Sequence, residues 1–160
     1  MLQDISLWSQ SDRTKVLWQI REGCSILEPS KRGVAVAGNN VVAIVDDEKI
    51  VRRAIGRLVM SAGLKSEDYP SAEEFLEVYP HRNPDCLILD LRLPGMSGLE
   101  LQQRMAADHN QTPIIFVSAH DDPEVRAQAL RGGAVAFFAK PFQDDALLEA
   151  IRSAMTPNTK

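Results

Sequence analysis

Three consecutive acids, Asp46, Asp47 and Glu48, follow directly on the aliphatic run Val41 to Val45 in the stretch VVAIVDDEKI. An aspartate where a strand gives way to a helix commonly caps that helix, so either Asp46 or Asp47 alone has an ordinary structural explanation. Two side by side favour a positive group held between them. Asp90 follows a second apolar run, Cys86 to Leu89, Ser118 follows Ile114 to Val117, and Lys140 lies just beyond Val135 to Phe138. Three carboxylates gathered at one place repel by about 4 kcal/mol per pair at ~4 Å and an effective dielectric near 20. Such a cluster needs a cation or a protonated member. Lys140 supplies one charge, and hard carboxylate oxygens with an open coordination shell suit Mg²⁺, which keeps water and takes phosphate oxygens as further ligands. The chemistry this set could do is phosphoryl transfer: metal and lysine neutralise the oxygens of the transferring group while one aspartate attacks in line.

Each residue also has a plainer reading. Asp90 could open the turn that runs to Pro94 and Gly95, Ser118 could cap the helix entered through Asp121 and Asp122, and Lys140 could be a solvated strand end. Chance does not readily place Asp46-Asp47, Asp90, Ser118 and Lys140 at the ends of four different strands.

Those strands and their connections are legible from periodicity. Val41 to Val45, Cys86 to Leu89, Ile114 to Val117 and Val135 to Phe138 are nearly continuous apolar runs, the mark of parallel strands covered on both faces. Lys65 to Tyr69 reads as a weaker strand near an edge. Between them the period changes to that of helices. Ile50 or Val51, Ala54 or Ile55, Leu58 and Ala62 form one stripe, ended by Gly63. Ser71 with Glu74 reads as a capping box, Leu99 to Ala107 as a third helix, Asp122-Pro123 as the start of a fourth, and Leu147, Ile151 and Ala154 as the stripe of a fifth. Five strands alternating with five helices make an open α/β sheet with right-handed crossovers, in which ligands sit beyond the carboxyl ends of the strands.

The 160 residues suffice for one domain of ordinary size. With 18 basic and 22 acidic side chains the net charge is −4, which argues against direct nucleic-acid binding. Residues 1 to 40 carry 5 basic and 4 acidic groups, and residues 41 to 160 carry 13 and 18. The body is therefore the acidic part. Cys24 and Cys86 lack metal-type spacing, so neither a disulfide framework nor a zinc site is expected, and a reducing cytoplasm fits. No apolar stretch reaches membrane-spanning length. A break near Gly38-Asn39-Asn40 divides a leader, residues 1 to 40, from a domain over 41 to 156 and a tail over 157 to 160. The leader holds both tryptophans, Trp8 and Trp18, and is expected to be weakly ordered, the other reading being an amphipathic docking arm.

The segments VAIVDDE, CLILDLRLPGMSGLEL, PIIFVSAHDD and GGAVAFFAKPF, in this order, resemble the receiver domain of two-component response regulators, of the CheY-like superfamily. The resemblance covers residues 41 to 156 and is nearest to receivers that, in longer relatives, precede a helix-turn-helix output domain. It implies a flavodoxin-like, doubly wound parallel sheet in the order 2-1-3-4-5 with five helices. It further implies that Asp90 is the phospho-acceptor, that Asp47 and Asp90 hold Mg²⁺ directly with the Arg92 carbonyl, and that Asp46 acts mainly through water. Ser118 and Lys140 would contact the phosphoryl group, Phe137 would be the switch aromatic, and Lys140-Pro141 would be cis. Arg92 and His120 stand where this family tunes the lifetime of the phosphoryl group. Implied partners are a sensor histidine kinase or histidine phosphotransfer protein, an output protein of unknown identity, and a second copy in a phosphorylation-dependent homodimer. The implied role is that of a signalling protein which catalyses its own phosphorylation and dephosphorylation, rather than an enzyme acting on a metabolite.

Competing functions fail on chemistry. A haloacid-dehalogenase-type phosphatase needs a second Asp two residues after its nucleophile, where this chain has Arg92. A flavin-binding protein of the same architecture needs a neutral, hydroxyl-rich phosphate loop after the first strand, where Asp46-Asp47-Glu48 would repel phosphate. A degenerate receiver kept as a docking module is the alternative of a different class. The end of the chain at Lys160 is expected to mean either a single-domain regulator or a shortened form of a longer one.

Overall fold

The computed structural model describes residues 40–156. Expectations for the leader, including Trp8, Trp18 and Cys24, and for the tail concern residues outside that range. In chain order the elements are β1 (Val41–Val45), α1 (Lys49–Ser61), β2 (Lys65–Tyr69), α2 (Ala72–Val78), a 3₁₀ turn (Tyr79–His81), β3 (Cys86–Asp90), α3 (Gly98–Ala107), β4 (Ile114–Ser118), α4 (Pro123–Arg131), β5 (Ala136–Ala139) and α5 (Asp144–Met155). The five strands form one parallel sheet in the order β2-β1-β3-β4-β5. This is the doubly wound arrangement expected.

Alternate residues of each strand feed opposite faces, which is why the runs are apolar without interruption. Val42, Ile44, Ile88, Ile115 and Val117 pack with Ile55 and Val59 of α1 and Leu147 and Ile151 of α5. Ala43, Val45, Leu87, Leu89 and Phe116 pack on the other side with Phe75 of α2, Leu101 and Met105 of α3 and Ala129 of α4. Fully burying a Leu, Ile, Val or Phe side chain contributes about 1.5–3 kcal/mol. The polar strand β2 lies at the sheet edge.

Helix ends follow their sequence signals with one correction, at Ser71. Of the two registers left open for α1, the chain adopts Val51 and Ile55; Ile50 is 82 % exposed. Gly63, with φ +79, ends that helix as expected, in a conformation that costs a glycine little. Ser71 Oγ accepts from the Glu74 N–H at 3.2 Å, but no return bond from Glu74 completes a box among the described residues. The complete box belongs to α3, where Ser97 Oγ accepts from the Glu100 N–H and Glu100 accepts from the Ser97 N–H at 2.8 Å. Asp122 caps α4, accepting from the Glu124 N–H at 2.9 Å, and Pro123 follows at the first helical position.

Strand ends differ from expectation by one residue. Asp90 and Ser118 are the last residues of β3 and β4, in register with Val117 and Ala139. Their backbones are therefore fixed by the ladder. β5 starts at Ala136 rather than Val135 because Val135, half exposed after Gly132-Gly133, only bridges into the sheet by donating its N–H to the Ile114 carbonyl at 2.9 Å.

Candidate functional site

At the carboxyl edge of the sheet the central strands deliver their end residues to one place. One oxygen from each of Asp46, Asp47 and Asp90 lies within 4.8 Å of the others. Asp46 and Asp90 are 2 % and 6 % exposed, and Asp47 is open to solvent. Lys140, directly after β5, reaches across: its Nζ donates to Asp46 Oδ2 at 2.8 Å and to Asp90 Oδ2 at 3.3 Å, and stands 4.0 Å from Glu48 Oε1. The solvated-strand-end reading of Lys140 is therefore wrong; its side chain is 15 % exposed and bonded twice.

The capping reading of the two adjacent acids also fails. The N-cap of α1 is Glu48, whose side chain makes no capping bond. Asp46 instead folds back, its Oδ1 accepting from the Glu48 N–H at 2.8 Å, so that both of its oxygens are occupied. Asp90 keeps a turn-opening bond as well as its place in the cluster, Oδ1 accepting from the Arg92 N–H at 3.1 Å. Ser118, whose Oγ accepts from the His120 N–H at 3.1 Å, does not cap α4. Its carbonyl accepts from the Lys140 N–H at 2.7 Å, which ties the hydroxyl-bearing strand end to the lysine-bearing one. The Lys140-Pro141 peptide is cis. Phe137 is not in the cluster: it points from β5 into the core, its ring 6.2 Å from Phe116.

Electrostatics follow from this geometry. Burial pushes the Asp90 carboxyl up from its ordinary value, and the charge of Asp46 adds to the shift; the Arg92 N–H and Lys140 oppose it without cancelling it. For Lys140 burial disfavours the ammonium, yet the hydrogen bond to Asp46 and the charges of Asp90 and Asp46 outweigh it and leave the pKa raised. Three carboxylates against one ammonium leave about two negative charges uncompensated, and the donors are all hard oxygens. That set fits a small divalent cation such as Mg²⁺. Cys86, buried in β3 and free, has its thiol pushed up to about 12 by that burial and takes no part.

Sequence reasoning missed two supports. Arg52 is a charged residue on the buried face of α1, donating to the Asp46 carbonyl at 2.6 Å and to Asp68 at 3.1 Å. It thereby braces the acidic turn against the edge strand. Its only signal was an arginine next to the apolar stripe. Gly98 opens α3 where a β-carbon would overlap the Asp90 carbonyl oxygen and lie 3.1 Å from Leu91 Cα. Backbone cannot yield as a flexible side chain can. Gly98→Ala is therefore expected to destabilise the protein by about 1–3 kcal/mol, read as a lower midpoint in urea unfolding. An unchanged midpoint would mean that α3 moves aside freely.

Comparison with known proteins places this arrangement. Residues 42–152 match the family model of the response regulator receiver domain. The response regulator protein TmoT of Ectopseudomonas mendocina is 44 % identical over 116 residues, which cover 72 % of this chain and 53 % of that protein. Among solved structures, the crystal structure of FixJ-N is 36 % identical with TM-score 0.67, covering 72 % of this chain and 92 % of that one. A response regulator receiver protein from Burkholderia phymatum is 42 % identical with TM-score 0.65, covering 72 % and 94 %. The chain spans about half the length of the curated relatives it matches.

Proposed function

The chain belongs to the response regulator receiver family, and from that premise we propose that it accepts a phosphoryl group on Asp90 from a sensor histidine kinase or histidine phosphotransfer protein. The observation that carries this reading is the convergence of Asp46, Asp47 and Asp90 at the ends of β1 and β3, with Lys140 reaching from the end of β5 to bond Asp46 and Asp90. An Asp90 carboxylate oxygen forms the new bond to phosphorus as the bond from phosphorus to the donor breaks, and the donor departs with the electron pair. Asp47, Asp90 and the Arg92 carbonyl would hold Mg²⁺ directly. Asp46, whose oxygens already serve Glu48 and Lys140, would act through water. When bound, the ion supplies positive charge to the oxygens of the transferring group.

The rest of the work falls to this chain's own residues. Lys140, already held by two carboxylates, contributes a fixed positive charge that needs no reorganisation. The Ser118 hydroxyl accepts from His120, which leaves its own hydrogen to donate to a phosphoryl oxygen. Drawing Ser118 toward that oxygen alters the packing between β4 and Phe137 and so the face built from α4, β5 and α5. That face would meet an output protein or a second copy of the chain. Among the described residues no helix is long and apolar enough to cross a membrane.

The test is incubation with acetyl phosphate. With Mg²⁺ the intact mass should rise by one phosphate, and with EDTA it should not. No mass gain in either case would favour a receiver kept only as a docking module.

A further inference from the structure

Phe137 lies between two partners. On one side its ring stacks on Phe116; the guanidinium carbon of Arg126, in the first turn of α4, stands 5.5 Å from the ring centroid. The same guanidinium reaches Asp121 Oδ1 at 3.4 Å. Asp121 sits in the loop that leaves Ser118, and that loop is anchored by the bond from the His120 N–H to Ser118 Oγ. Ser118, the loop, Arg126 and the aromatic ring are thus joined by a continuous set of contacts.

We propose that Arg126 is a positioning residue for Phe137: held by Asp121, its guanidinium covers the ring and favours the buried position, so that movement of the Ser118 loop is passed to the aromatic. A planar guanidinium can lie over a ring while one edge pairs with a carboxylate. An acid on the loop and an aromatic on the strand therefore share one cation. If the loop shifts toward a phosphoryl group, Asp121 goes with it, and Arg126 must either follow or release one of its two partners. The inference rests on the reading of Ser118 and Phe137 as the switch. It adds a residue that couples them through the surface, in parallel with direct packing in the core.

An exposed cation–π contact changes an equilibrium by about two- to fivefold, and that sets the expected effect. The experiment is NMR of the phenylalanine rings in the full chain, with Phe137→Leu used to assign the Phe137 signals, before and after addition of beryllofluoride with Mg²⁺. In Arg126→Gln the ratio of buried to exposed Phe137 should fall by about two- to fivefold, and Arg126→Lys should restore part of it because a cation remains. Phe137 signals in Arg126→Gln identical to wild type in both conditions would overturn the role of Arg126. Wild-type signals unmoved by beryllofluoride, despite its binding, would overturn the switch reading itself and the proposal with it.

Discussion

Asp90→Asn is expected to take up no phosphoryl group from acetyl phosphate and Mg²⁺ while melting at a higher temperature than the wild type. The loss follows from the nucleophile: a neutral amide oxygen has none of the charge that lets a carboxylate attack phosphorus. No neighbour replaces it, since both oxygens of Asp46 are taken by Glu48 and Lys140 and Asp47 stands out in solvent. The gain in stability follows from burial. Asp90 is almost wholly buried and its carboxyl is raised above the ordinary 3.8, first by that burial. A carboxyl with a raised folded-state value holds its proton longer when folded than when unfolded, so its contribution falls as pH climbs from 3.8 through the folded value and stays lost above it. At pH 7 the neutral isostere avoids that penalty, and Lys140 keeps Asp46 as a partner. A gain on the order of 1 kcal/mol, or a few degrees in melting temperature, is expected. Intact mass and thermal unfolding read the two effects separately. Labelling of the variant at the wild-type level would remove Asp90 as acceptor, and a fall in melting temperature would show that its ion pair with Lys140 outweighs its burial.

Most of the fold was legible because its cause is local and repetitive. A parallel strand covered on both faces must be apolar along its length; Val41–Val45 is apolar throughout, and Cys86–Asp90 and Ile114–Ser118 are so up to their last residue. The polar residue that ends each run, Asp46, Asp90 or Ser118, marks the carboxyl end of its strand and is itself buried, and strand ends are where this architecture gathers its ligands. Fold and site were thus read from the same residues. The one-residue errors have the same origin. Asp90 and Ser118 look like loop residues by polarity, but the ladder continues through their backbones.

What escaped the sequence depends on contacts between distant segments. That Arg52 would bond the Asp46 carbonyl, or that Gly98 would lie against the Asp90 backbone, follows from how α1 and α3 dock on the sheet. No period or spacing encodes that. The box at Ser97 and Glu100 was readable in principle, from a serine followed three residues on by a glutamate at the start of the helix that periodicity placed from Leu99. The two adjacent aspartates, which raised the question of a site, are given separate roles by the family resemblance, not by their own type or spacing. Their difference is that Asp46 turns inward under Lys140 and Asp47 outward.

That difference decides what Asp47→Asn does. If Asp47 were a helix cap, asparagine would replace it with little loss, since the two cap about equally; but the N-cap position of α1 is held by Glu48, and the Asp47 side chain makes no hydrogen bond among the described residues. Its carboxylate contributes one thing to the folded protein, a negative charge beside Asp46 and Asp90. At rest that charge is mildly unfavourable, so the variant should unfold within about 0.5 kcal/mol of the wild type. Toward Mg²⁺ it should behave very differently. A unit charge 4 Å from a divalent ion interacts with about 4 kcal/mol per ion charge at a dielectric near 20, and the solvent around Asp47 removes a large part of this. A loss of roughly 2.7 kcal/mol, or 100-fold in Mg²⁺ affinity, is the expected remainder. Titration calorimetry with Mg²⁺, beside urea unfolding of the same variant, gives both numbers. Weakened binding at unchanged stability would identify Asp47 as a ligand; unchanged binding at reduced stability would return it to the helix.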